Sequence, residues 1–129
     1  MNYENYTEFE LCLKAQDFYN EKRYYRAIFI LEYLNRSNSI YHYSFPLLLS
    51  AKKEQGDYLG VIEYSNKLIS LGKHDDDIYY HLGMAHFYNN NFSASLYNLL
   101  KSSRMGNRFA DFFIEDKFCQ NKLISQDVP

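Results

Sequence analysis

Apolar positions along this chain recur at helical spacing, in runs of about a dozen residues separated by short polar breaks. Between Asp76 and Ser103, Tyr79, Leu82, Ala85, His86 and Tyr88 mark a first helix, and the run from Ala94 to Leu100 marks a second. Asn89, Asn90 and Asn91 separate them, because asparagine tolerates left-handed backbone and competes for local hydrogen bonds. Asp75, Asp76 and Asp77 are suited to the N-cap and first turn, where carboxylates accept from free N–H groups. Small residues at Gly83, Ala85 and Ser95 allow close helix approach. The same reading gives helices from Glu8 to about Asn20, Tyr24 to about Asn35, Ser44 to about Gln55 and Tyr58 to Ser70. Pro46 falls in a first helical turn, where its missing N–H costs nothing. Gly56 ends the third helix, Gly72 caps the fourth, and Gly106 with Asn107 stops the sixth. A seventh helix is expected from Phe109 to about Leu123. Phe112, Phe113, Cys119 and Leu123 would cover the end of the preceding helices, with Asp111, Glu115, Asp116 and Lys122 toward water. Residues 1–7 read as a loose polar lead-in and 125–129 as a frayed tail.

The pattern repeats at a fixed stride. Tyr24, Tyr58 and Phe92 stand 34 residues apart, each just after a polar turn. Ala27, Val61 and Ser95 follow three places later, and Ala15, Leu49 and Gly83 occupy a close-packing position before each turn. The segments YNEKRYYRAIFILEYL, KEQGDYLGVIEYSNKLI and YNNNFSASLYNLLKS align without a gap. This resembles the tetratricopeptide repeat (TPR), a helix–turn–helix unit of 34 residues. Repeat three carries the family's pattern at Tyr79, Leu82, Gly83 and His86 or Phe87; repeat one carries it at Ala15, Phe18, Tyr24, Ala27 and Leu31. Repeat two departs most, with Leu49, Lys52 and Val61 at the small, aromatic and alanine positions. Ser39, Lys73 and Asn107 stand where the family closes on proline. The resemblance implies an all-α fold: three TPR units at 8–41, 42–75 and 76–109 plus a capping helix at 110–124, in a short right-handed superhelix.

In such a stack the first helix of each pair lines a concave groove. The register places Phe9, Cys12, Gln16, Tyr19 and Asn20 there from unit one, and Tyr43, Pro46, Ser50, Lys53 and Glu54 from unit two. Unit three adds Asp77, Tyr80, Met84, Phe87 and Tyr88. The expected peptide-binding set is Gln16, Tyr19, Asn20, Tyr43, Lys53, Tyr80, Met84, Phe87 and Tyr88. Tyrosine brings apolar area and a polar tip at low entropic cost, and methionine is an adaptable contact. Several of these rings would equally serve by packing against second helices. One TPR subgroup grips a chaperone's C-terminal carboxylate with two lysines, two asparagines and an arginine; the matching positions here read Cys12, Gln16, Leu47, Asp77 and His81, so that clamp is not expected.

Composition narrows the function classes. Apolar residues make up 47% and charged residues 23%, which argues against disorder. Aromatics reach 19%, more than helix pairing alone requires. A net charge of −2 gives no footprint for nucleic acid or an anionic membrane. Cys12 and Cys119 are far apart and lack metal spacing, which reads as two free thiols in a reduced, intracellular setting. No phosphate loop, nucleophile elbow, metal-spaced Cys/His set or paired-carboxylate motif occurs, so neither catalysis nor a cofactor is expected. The expected role is a scaffold or adaptor binding a peptide or helix of another protein. Two alternatives share the fold: a self-associating TPR subunit of a large assembly such as the anaphase-promoting complex, and a type III secretion-type chaperone for an apolar client segment.

Overall fold

The computed structural model describes residues 3–36 and 44–119. Every regular element among them is helical: α1 (Glu8–Asn20), α2 (Tyr24–Arg36), α3 (Ser44–Glu54), α4 (Tyr58–Ser70), α5 (Asp76–Tyr88), α6 (Phe92–Arg104) and α7 (Arg108–Ile114). A 3-10 turn (Tyr3–Asn5) precedes α1, and a π-helical segment (Glu115–Cys119) continues α7. The chain forms two compact units, residues 1–57 and 58–129, whose boundary falls at the expected turn of the second repeat.

The stride is written in the backbone. Lys22, Gly56 and Asn90, at φ of 64, 75 and 65°, all adopt the left-handed conformation. Each follows a first helix, and each sits in the same double hydrogen bond. Lys22 N–H donates to the Tyr19 carbonyl and Arg23 N–H to that of Phe18; Gly56–Lys53 with Asp57–Lys52, and Asn90–Phe87 with Asn91–His86, repeat the pair. This is the Schellman closure, which satisfies orphan carbonyls at a helix end through one left-handed residue. Gly72 and Gly106 close α4 and α6 in the same way, at φ of 88 and 97°.

In the first unit α2 packs between α1 and α3. Its core is Leu11 and Ala15 of α1, Ala27, Ile30, Leu31 and Leu34 of α2, and Leu48, Leu49 and Ala51 of α3. The segment before α1 is more ordered than a loose lead-in. Thr7 forms a capping box with Glu10, each side chain hydrogen bonded to the other's backbone N–H at 3.1 Å, and Lys14 Nζ lies 4.9 Å from the centre of the Tyr6 ring. The motif Thr-x-x-Glu is a sequence-level helix start.

In the second unit α5 is covered nearly all round, burying Ile78, Tyr79, Leu82, Met84 and Ala85. Gly83 explains how closely α5 and α6 approach: a Cβ there would stand 2.7 Å from Leu99 Cγ. The start of α5 departs from expectation. Asp75 occupies the N-cap without a side-chain capping hydrogen bond, whereas Asp76 and Asp77 accept from Asn107 Nδ2 at 2.9 and 3.2 Å. Asn107 Oδ1 accepts from Ala110 N–H, capping α7, and Ser102 Oγ donates to the Asp76 carbonyl. Asn107 thus forms a polar clasp between the starts of α5 and α7.

The seventh helix also differs from the expected element. Its α-helical part ends at Ile114 and passes into the π-helical segment, an irregularity that a 3.6-residue periodicity cannot reveal. Phe113 is half-buried as expected of a cap, but Phe112 is 64% exposed and Cys119 is exposed. Leu123, Lys122 and residues 125–129 lie outside the described residues.

Candidate functional site

The residues expected to line one groove have three distinct fates. In the first unit they stand on α1 and α3, which touch. Gln16 and Asn20, one turn apart and exposed, are joined by a 3.0 Å hydrogen bond from Gln16 Nε2 to Asn20 Oδ1. Tyr19 is half-buried beside Tyr24, ring centres 5.3 Å apart and nearly perpendicular. Burial pushes its phenol pKa up, the Glu54 carboxylate and Tyr24 add to this, and a side-chain hydrogen bond with Ser50 works the other way. Tyr19 therefore stands against Ser50 and near enough to Glu54 to feel its charge. Lys53 is partly exposed and pairs with Glu54 at 3.8 Å. Phe9, at the other end of α1, is 60% exposed. Between them, burial and then the Glu8 carboxylate push the Cys12 thiol up, which keeps it protonated and a poor nucleophile.

In the second unit the expected groove residues are largely used up by the fold. Met84 is only 2% exposed, so it fills the core of the second unit. The reason lies in α5 itself: its middle turns, from Ile78 to Ala85, are mostly apolar and mostly buried. Phe87 is the hub of a ring cluster, with Phe92 and Phe113 at 5.3 Å, Tyr88 at 5.4 Å and Phe118 at 5.5 Å. Tyr80 lies against Phe109 and Phe113 at 6.1 and 6.5 Å. Burial, with Tyr88 adding to it, raises its phenol pKa. Apart from the tilted Tyr80–Phe109 pair, these rings meet edge-on, the arrangement that aromatic quadrupoles favour. Tyr80 and Phe87 thus pack against the chain's own α7 and the π-helical segment, each staying half-buried. Tyr88 stacks on Tyr58 at 5.0 Å yet stays 42% exposed. Tyr43, the remaining expected residue, lies outside the described residues.

Phe118 was not foreseen, because the π-helical segment turns it toward Phe87 out of the α-helical register. Tyr58 and Phe92 were legible as turn-following aromatics, though not as members of the cluster. Among the described residues no group of three or more His, Cys, Asp or Glu is placed to hold a metal ion, and no helix is long and apolar enough to cross a membrane. His81 is buried and bonds through Nδ1 to the Asp77 carbonyl, a role internal to α5. No protein-family model, curated protein or solved structure matches the chain.

Proposed function

We propose that this protein is a non-catalytic interaction module of the tetratricopeptide type, which binds a segment of another protein along α1 and α3. What carries this reading is the surface formed by Phe9, Gln16, Tyr19 and Asn20 with Ser50, Lys53 and Glu54. It is aromatic and polar, it is largely accessible, and the core of the first unit does not need it. The 34-residue recurrence of the left-handed closure supports the family assignment, since a fixed stride of helix pairs is the hallmark of that repeat. Rigid rings with polar tips supply contact area, while the Gln16–Asn20 pair and Lys53 orient a bound backbone. The binding surface is correspondingly smaller than the sequence suggested, because α5 contributes little beyond the edge of Tyr88.

A photo-crosslinking residue at Gln16, compared with one at the exposed Tyr97, tests this in the native cell extract. A discrete adduct specific to position 16, lost when Asn20→Ala and Lys53→Glu are added, supports the assignment. Equal adducts from both positions, or full partner retention by the double variant, reject it.

One observation favours a second reading, self-association. Met105, Phe109 and Phe112, near α7, are 47, 69 and 64% exposed, whereas a terminal repeat ordinarily turns a polar face outward. Sedimentation at micromolar concentration separates the readings: a dimer abolished by Phe112→Glu establishes it, and a monomer across that range removes it.

A further inference from the structure

A cavity of about 230 Å³ opens on the first unit between α2 and the end of α3, away from the residues assigned above. Tyr25, Ile28, Phe29 and Glu32 line one side of it, at the i, i+3, i+4 and i+7 positions of a single helical face. Tyr25 is 75% exposed and Phe29 53%. The other side holds Lys52, Gln55 and Asp57. Lys52 Nζ reaches Glu32 Oε1 at 3.1 Å and Asp57 Oδ2 at 3.9 Å. Its side chain is only 14% exposed, while those of Glu32 and Asp57 are 45 and 50% exposed.

Repeat register makes this place unusual. Position 52 is equivalent to Phe18 and His86, ring residues in the other two repeats. A nearly buried ammonium there is costly, and the two carboxylates hold it. The slimmer lysine leaves space beside two exposed rings. The lining carries one positive and two negative groups, so the cavity is net negative with Lys52 already engaged. A further anion is disfavoured and a cation is favoured. The volume is below the roughly 300–1,000 Å³ typical of small-molecule sites and suits a single side chain. The chain itself pairs cations with rings: the Arg23 and Arg26 guanidinium carbons lie 5.4 and 5.7 Å from the Phe18 centre, and Lys101 Nζ lies 4.5 Å from that of Tyr79.

We propose that the cavity between Tyr25, Phe29, Glu32 and Asp57 receives an arginine side chain of a partner protein. The guanidinium plane stacks on the exposed rings and donates to the two carboxylates, a combination that a planar, weakly hydrated cation makes better than an ammonium.

The test is a titration of the ¹⁵N-labelled full chain with N-acetyl-arginine amide, N-acetyl-lysine amide, N-acetyl-citrulline amide and N-acetyl-leucine amide, followed by NMR. The arginine probe is expected to bind weakly and saturably, with shifts confined to Tyr25, Phe29, Glu32, Gln55 and Asp57. Neutral citrulline is expected to bind at least fivefold more weakly, and Glu32→Gln to weaken the arginine probe by a similar factor. Tyr25→Ala, at a solvent-exposed ring, is the second variant and is expected to weaken it without loss of helicity. Equal binding of citrulline, tighter binding of leucine, or shifts spread over the surface would overturn the proposal.

Discussion

Single residues set the local geometry of this protein, and four of them can be tested directly. Lys22 and Asn90 adopt a backbone conformation that glycine takes freely at the equivalent Gly56. A side chain in the left-handed region costs about 1–2 kcal/mol, and least for asparagine. Lys22→Gly should therefore stabilise the fold, by up to about 1 kcal/mol once the entropy glycine adds to the unfolded chain is subtracted, read as a higher thermal midpoint. Asn90→Gly should gain less. Ser95 is fully buried, and its hydroxyl finds no hydrogen-bond partner among the described residues. Ser95→Ala matches the alanine at equivalent position 27 and should stabilise by about 1 kcal/mol, read from denaturant midpoints. His86 is held below its ordinary pKa of 6.5 by burial. The unfolded chain then binds that proton more readily than the fold does. Stability is complete above pH 6.5 and falls as the pH drops through the folded value. His86→Gln should narrow the difference in midpoint between pH 7.5 and 5.5; an unchanged difference would show that the imidazole is not responsible.

Elements show where sequence reasoning succeeds and where it stops. The first six helices were legible almost residue for residue, because apolar spacing and turn chemistry agree at each boundary. The stride was legible too, since Tyr24, Tyr58 and Phe92 anchor it. What escaped were properties that depend on a neighbour. Met84 looked like a groove contact because its register position is the inner one, yet α5 is enclosed and the same position is core. Phe118 escaped because it sits in a π-helical segment. Asn107 was read only as a helix stop and a missing proline, whereas it clasps α5 to α7 through both ends of its amide. Asn107→Ala removes an N-cap and leaves two carboxylates without that donor, a loss of about 1–2 kcal/mol. It should also unpin α7, so near-UV signals from the aromatic cluster should weaken before far-UV helicity does. Loss of both signals together would mean that α7 folds without the clasp.

At the scale of the whole molecule, burial is uneven. Helix α5 places seven residues in the interior and α1 only two. Local opening follows buried apolar contact, so amide exchange should be slower in α5 and in the facing part of α6 than in α1. Equal protection of α1 and α5 would contradict this. The proposed binding surface lies on the less anchored helix, where segments that adapt to a partner tend to be found. The aromatic excess divides in the same way: in the second unit much of it is spent on internal ring contacts, and the exposed remainder includes Phe9, Tyr25 and Phe29.

The left-handed closure after α1, α3 and α5 has one further consequence. Because its geometry is carried by main-chain torsions, lysine, glycine and asparagine can interchange there without altering the joint. A gene could therefore gain or shed a whole hairpin by recombination between two such joints, and the spliced chain would meet its next helix at the angle it already had.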